Sequence, residues 1–471
     1  MQFMKKSTRT RLFLLFLGAF LIAAPCVILY SQGYRLDLEA RSVVKTGAIF
    51  VEPRPAPVEL YINKNLIKRS NFVFQNIYTG NLIPRVYSVE VKKQNYLSWE
   101  KQLLVLPKLV TEAKNIYLFP DNAVVKKITD SARDFYFSPS REKFAFISAS
   151  PIPEISIHSS QNVNDGIIIK APIEFSGYKI SDVVWSNDSK KILFSVSMGR
   201  QKKWIATDIT ANPLKSVDFS RQLSGLKIRK IIWSDNSDGI FFSASDPDRG
   251  DLLFSYNFLD QMLSAPLASD VLSYVIRDNK AIYISSKLGT INSVDLVTRE
   301  IQQLSSTAIP YIEKAINAEM LEYPRDSYSI VLADKNVYIF NKRTAALNKI
   351  AGDVESAVAS SDGKKLLLIG KNMLSVYWLE DIHIQPFHDA QDLEIILAQE
   401  QDIIDAVWFT KNNEYILYAT KNSIMAIELD GRDARNIYEL RDAGARKLYY
   451  EEGSNTLYFL SEDEFYSMSL E

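Results

Sequence analysis

The chain has 471 residues, and its 55 lysines and arginines nearly balance 56 aspartates and glutamates, for a formal net charge of −1. Both signs are interspersed, so no basic stripe exists to neutralise phosphates and nucleic acid is a poor partner. Three histidines and a single cysteine leave little material for general-base, metal or disulfide chemistry, while 47% hydrophobic residues suit a globular body with a sizeable core.

Residues 1–11 form a short basic tail carrying Lys5, Lys6, Arg9 and Arg11. Leu12 to Tyr30 follow as 19 residues without a charged side chain. As a helix they would span roughly 28 Å, the thickness of a bilayer's hydrocarbon core, so 12–30 is predicted to be an uncleaved transmembrane helix. A cleaved signal peptide is the competing reading. Its apolar core is shorter, about 7–15 residues, and ends in a small-x-small site. Here the run ends in the bulky Val27-Ile28-Leu29-Tyr30, and Pro25 before Cys26 departs from a lipoprotein cleavage box. The short tail favours an inside N-terminus, which places the bulk of a single-pass protein of the cell membrane outside the cytoplasm.

Residues 31–46 read as a linker. From 47 to 120 short alternating strands are bounded by Pro, Asn and Gly: Ala48-Ile49-Phe50-Val51, then the corner Pro53 to Pro57, then Val58 to Ile62, Val86 to Val91 and Leu103 to Leu106. This pattern predicts a small antiparallel β-sandwich. The stretch resembles the PEGA domain, on Gly47 with the first strand, Pro55-Ala56-Pro57-Val58-Glu59-Leu60-Tyr61-Ile62-Asn63, Tyr87-Ser88-Val89-Glu90-Val91, Asn95-Tyr96-Leu97-Ser98-Trp99 and Ile116-Tyr117-Leu118. Arg85 and Asn95 stand where that family has glycines; asparagine tolerates positive φ, so the second change is mild. The resemblance implies a domain of a bacterial envelope protein.

From 121 to 471 a repeat takes over, each unit an apolar strand ending in an aromatic, a polar turn and a second apolar strand. Phe137, Trp185 and Trp233 recur at a spacing of 48. Weaker copies run from Val271 to Ile284, Met320 to Leu332, Ala357 to Ile369, Ala406 to Tyr418 and Leu448 to Phe459. A mean spacing of about 45 fits four-stranded propeller blades. The chain ends after a third strand, and Ala123 to Ile128 is placed to supply the missing outer one, so the prediction is a seven- or eight-bladed β-propeller. Ser138-Pro139, Trp185-Ser186-Asn187-Asp188 with Lys191-Ile192, and Ser361-Asp362-Gly363-Lys364-Lys365-Leu366 resemble the TolB-type, WD40-like repeat. The fold class is therefore all-β behind one N-terminal helix.

No catalytic, cofactor or metal signature stands out. Trp185, Trp233 and Trp408 fall inside apolar strands and read as core. His383 and His388 lie near Asp381 and Asp389, but in a loop whose spacing matches no ligand motif. Asp246-Pro247-Asp248-Arg249-Gly250-Asp251 contains an Arg-Gly-Asp triplet, and its composition is what a hairpin turn demands. The first-to-second-strand turns are short and alike. The loops Ala149 to Glu154, Met198 to Lys203, Ser245 to Asp251 and Gln385 to Gln401 vary, and variable loops on a rigid scaffold carry binding specificity.

The candidate partner-binding residues are Arg200, Lys202, Lys203, Asp246, Asp248, Arg249, Asp251 and His388. Their mixed charge suits a protein or a cell-wall glycan. The expected role is a non-enzymatic, membrane-anchored scaffold without cofactors. The rivals are a propeller enzyme acting on glycans or peptides, marked by facing carboxylates in the channel, and an accessory or sensor subunit of an envelope machine.

Overall fold

The computed structural model describes residues 6–149, 154–160, 166–170, 179–199, 201–223, 226–246, 248–315, 318–321, 323, 325 and 327–471. The apolar run forms α1 (Lys6–Ser31), which starts earlier than the uncharged stretch because nothing between Lys6 and Leu12 breaks a helix. Within it Thr8–Ser31, 24 residues, is long and apolar enough to cross a membrane, and none of it is buried against the rest of the chain. An anchor or a signal sequence both fit that description.

The expected linker is instead an antiparallel hairpin of β1 (Tyr34–Asp37) and β2 (Ser42–Lys45). Gly33, at φ +84°, turns the chain out of the helix. The Asp37 carboxylate accepts the backbone N–H groups of Glu39 and Ala40 at 3.0 and 3.2 Å, closing the hairpin. Arg85 reaches Asp37 and Glu39 at 3.3 and 3.1 Å and ties the hairpin to the domain that follows.

That domain consists of β3 (Gly47–Arg54), β4 (Glu59–Ile62), β5 (Asn65–Arg69), β6 (Ile77–Leu82), β7 (Val86–Lys92), β8 (Trp99–Leu104) and β9 (Val110–Tyr117). They form two sheets, ordered β6-β3-β9 and β5-β4-β7-β8, with only β3 and β9 parallel. Alternate residues of each sheet (Ile49 and Val51; Leu60 and Ile62; Val89 and Val91; Trp99 and Leu103) meet in one apolar core. Gly47 is required: a Cβ there would lie 2.3 Å from the carbonyl oxygen of Leu106, where the β8–β9 turn presses on the start of β3.

Among the described residues, β10 (Val125–Thr129) and the rest of the chain build eight sheets of four or five strands. Seven are consecutive in sequence and start at Asp134, Lys179, Lys227, Val271, Ala318, Val354 and Asp405. The eighth joins the last three strands, from Lys447 to Ser469, to β10, which pairs antiparallel with Glu464–Ser469. The N-terminal strand thus covers the edge that the C-terminal strand would expose.

Apolar clusters fill the seams between neighbouring sheets. Phe135, Phe144 and Phe146 of the first sheet pack on Tyr458, Leu460 and Phe465 of the eighth, so the ring closes. Lys447 reinforces that seam, reaching Asp134 Oδ1 at 2.6 Å and the Phe135 carbonyl at 2.8 Å.

The sequence repeat has a physical cause at two points that recur in several units. In the turn, Ser186 Oγ donates to Asp188 at 2.6 Å and accepts the Lys191 N–H at 2.8 Å; Ser360, Asp362 and Lys365 repeat the arrangement at 2.6 and 3.0 Å. At the end of the first strand, each tryptophan buries its ring and donates its indole N–H to the preceding sheet. Trp185 reaches Tyr136 O at 3.1 Å, Trp233 reaches Val184 O at 3.1 Å and Trp408 reaches Val358 O at 2.9 Å. The tryptophans are core residues, as expected, and they also link the sheets. The fourth sheet lacks the serine-aspartate turn because its first two strands meet in the two-residue turn Asp278-Asn279, with φ 49° and 58°.

Candidate partner-binding face

Antiparallel strands send the first-to-second and third-to-fourth connections to one face of the ring and the remaining loops to the other. The first of these faces is partly covered by the chain's own N-terminal domain, which lies edge-on against it through β8 and β9. Lys101 is fully buried there and pairs with the equally buried Glu428. Its ammonium also donates to the carbonyls of Asp430 and Ala434 at 2.8 and 2.9 Å, and Trp99 donates its indole N–H to Glu428 Oε2 at 2.8 Å. Farther along, Asn412 donates to Asn115 O at 2.9 Å, and the Tyr117 N–H donates to Tyr415 Oη at 3.0 Å. Tyr117 and Phe119 join the apolar cluster between the seventh and eighth sheets.

His388 belongs to this covered face. The Gln385–Gln401 stretch takes in the end of the connection from the third strand of the sixth sheet, Met373–Trp378, and the whole of the fourth, Leu393–Ala398, so it does not lie among the loops of the opposite face as expected. Gln385 Nε2 donates to Val110 O of the N-terminal domain at 3.1 Å. His388 is also not solvated: it stacks on Trp378 with ring centroids 3.8 Å apart, its Nδ1 3.8 Å from Glu394, which Arg435 also pairs. Burial, together with the nearby Lys365 and Arg435 and against Glu394, holds the imidazole pKa below its ordinary value.

A cavity of about 340 Å³ opens beside this stack, between Trp99, Lys114 and Asn115 of the N-terminal domain and Lys365, Asp381, His383, Glu414, Glu428 and Asp430 of the ring. Lys365 is buried and donates to Asn413 O and Glu414 Oε1, both at 2.6 Å. Burial pushes the carboxyls of Glu414 and Glu428 up despite their lysine partners. Among the described residues no group of three or more His, Cys, Asp or Glu side chains is arranged to hold a metal ion.

The other described candidates, Lys202, Lys203, Asp246, Asp248, Arg249 and Asp251, lie on the uncovered face, in the second-to-third-strand hairpins of adjacent sheets. Arg200 lies outside the described residues. Lys202 and Lys203 lead the strand Gln201–Asp208. Lys202 pairs with Asp182 at 2.6 Å and lies over the Trp204 ring at 4.6 Å; Lys203 is 3.9 Å from Asp218. Burial pushes the Asp182 carboxyl up, but Lys202 and two serine hydroxyls outweigh it and hold it low.

In the next hairpin Asp246 accepts the N–H groups of Asp248 and Arg249 at 2.9 and 3.0 Å, and Gly250 takes φ +83°. Asp251 accepts Ser245 Oγ at 2.6 Å and pairs with Arg229 at 3.2 Å. The triplet is therefore a turn whose outer carboxylates hold the protein itself. Asp248 and Arg249 at its tip remain exposed. On the covered face His388 is a sequence candidate, whereas Trp99, Lys101, Lys365, Glu414 and Glu428 are not.

No family model matches the chain, and no curated protein matches it. Among solved structures it is similar to the C-terminal WD40 domain of Sif2, with a TM-score of 0.50 and 13% identity over 74% of this chain and 99% of that one. The β-propeller domain of Cps50 (Swd1) from Myceliophteria thermophila gives a TM-score of 0.44 and 12% identity over 74% and 98%. At such identities the Sif2 likeness establishes the fold alone. The C-terminal region is a β-propeller of the WD40 kind.

Proposed function

We propose that this chain is a non-enzymatic, single-pass membrane protein whose eight-bladed, TolB-like propeller offers an extracytoplasmic face to a protein or cell-envelope glycan. The observation that carries the reading is the division of the propeller's two faces. One is partly covered by the chain's own N-terminal domain, through the buried Lys101–Glu428 pair, and the other carries the exposed hairpin tip at Asp248 and Arg249. A joint closed by a desolvated ion pair and an indole hydrogen bond holds the domain and the propeller together as one body, with the free face turned away from the domain. Propellers of the WD40 kind commonly serve as protein-interaction scaffolds, and mixed charge at the hairpins suits such a partner.

The test is protease accessibility of a C-terminal tag, in intact cells and after the membrane is opened, with the mass of the membrane-extracted chain. Digestion in intact cells, with α1 retained, is the expected result. Protection until lysis would place the body in the cytoplasm, and loss of α1 would make the segment a signal sequence. Either would overturn the reading.

A further inference from the structure

The lower end of the N-terminal domain, where the chain leaves α1, is built from exposed aliphatic side chains. In the hairpin, Leu36, Leu38 and Val43 are 60%, 77% and 57% exposed. Beside them the β8–β9 turn exposes Leu106 and Leu109, at 45% and 56%. Backbone hydrogen bonds place the two segments together: Lys108 N–H donates to Thr46 O at 3.0 Å, and Ala48 N–H donates to Leu109 O at 3.0 Å.

Cations outnumber anions around this patch. Arg41 and Lys108 are exposed, both in turns with positive φ, and with Arg35, Lys45 and Arg85 they face two carboxylates, Asp37 and Glu39, both of which Arg85 pairs. At the end of the helix the Arg35 guanidinium lies 3.6 Å over the Tyr30 ring, and Lys45 lies 5.5 Å over Tyr34. Aliphatic side chains ringed by cations and tyrosines form the composition of a membrane interface.

We propose that this end of the domain rests on the bilayer that α1 enters, with the leucines among the acyl-chain boundary and Arg41 and Lys108 on anionic phospholipid headgroups. The occupant follows from continuity. α1 ends at Ser31 and β1 starts at Tyr34, so Leu36, the first residue of the patch, lies within roughly 17 Å of the point where the helix leaves the hydrocarbon. The contact converts a flexible tether into a fixed mount, since the helix and the domain then meet the same surface at two points. This rests on the reading of α1 as an anchor.

The experiment uses the full-length chain in vesicles of phosphatidylcholine and phosphatidylglycerol, with bromine placed high on the acyl chains. In a Cys26→Ala background, single cysteines at Leu38→Cys, Leu106→Cys or Leu259→Cys carry an environment-sensitive fluorophore. Leu259 is 74% exposed and lies on the propeller. The Leu38 and Leu106 labels are expected to shift to the blue and lose at least half of their emission, while the Leu259 label stays unchanged. Labels at Leu38 and Leu106 that behave like the one at Leu259 overturn the proposal, as they would if a partner protein covered the patch. A label on the native Cys26, quenched by bromine placed deep in the chains, reports separately whether α1 is an anchor. Quenching there without quenching at Leu38 or Leu106 keeps the anchor and removes the mount.

Discussion

The indole N–H of Trp99 donates to Glu428 Oε2 at 2.8 Å, across 329 residues of sequence and from one domain to the other. Lys101, two residues along the same strand, supplies the countercharge to that carboxylate. Together they join the two β-structures into one body, because the buried pair and its hydrogen bonds have their partners only across the joint.

The two halves of this ion pair should not respond alike to removal. Glu428→Gln strands a buried ammonium and is expected to cost about 3–5 kcal/mol. Lys101→Met strands a carboxylate that burial already pushes toward protonation, so it escapes part of the cost by taking up a proton. Urea unfolding followed by tryptophan emission checks this. The Lys101→Met deficit should shrink between about pH 7 and pH 5, while the Glu428→Gln deficit should not. Equal deficits at both pH values would show that the pair is open to water.

The tryptophan links between sheets predict a second cost. Trp233 is 1% exposed and satisfies the Val184 carbonyl at 3.1 Å. Trp233→Phe keeps an aromatic ring there but removes the indole donor to that carbonyl, a loss of about 0.5–1.5 kcal/mol. Thermal unfolding should register it as a lower midpoint. Tryptophan with an N-methylated indole, incorporated at 233, should reproduce the deficit while keeping the ring.

Closure of the ring rests on β10. Its register sets Val125 opposite Met468 and Lys126 opposite Ser467. Alternate N–H groups of a strand point to its partner, so prolines at both Lys126 and Lys127 remove at least one ladder hydrogen bond in either phase. The double variant is expected to release Glu464–Ser469 as a free edge and to form concentration-dependent aggregates on size exclusion. A monomer with unchanged hydrogen exchange in that strand would show that the ring closes without β10.

The repeat was legible because its turn is a side-chain device: Ser186 and Asp188 hold the backbone, so both types recur at fixed offsets. Where Asp278-Asn279 makes the same reversal with backbone φ alone, the sheet persists and the signature fades. The domain joint was not legible, since no local pattern names a partner hundreds of residues away. One sign of it was present. Lys101 stands between Trp99 and Leu103 in the buried phase of an alternating strand, where a lysine requires an explanation. His388 gave no sign at all. Its loop has no apolar periodicity, and the ring is buried by the face of Trp378, which stacking geometry decides.

That stack makes a pH-dependent prediction. His388 has its pKa lowered below 6.5, chiefly by burial. A depressed folded pKa means that the unfolded chain takes up the proton first. The stabilising contribution is therefore complete above about pH 6.5 and is lost as pH falls through the folded pKa. Glu414 and Glu428 act in the opposite sense, because their raised pKa values let the folded protein bind protons earlier as pH falls. The slope of the native protein alone therefore cannot be assigned to the histidine. His388→Phe keeps a ring on Trp378 and has no proton to gain, so the difference between native and variant isolates it. Thermal midpoints from about pH 7.5 down to 5 should fall more steeply for the native chain than for the variant. Parallel curves would mean that the imidazole is solvated in both states and that the Trp378 stack does not bury it.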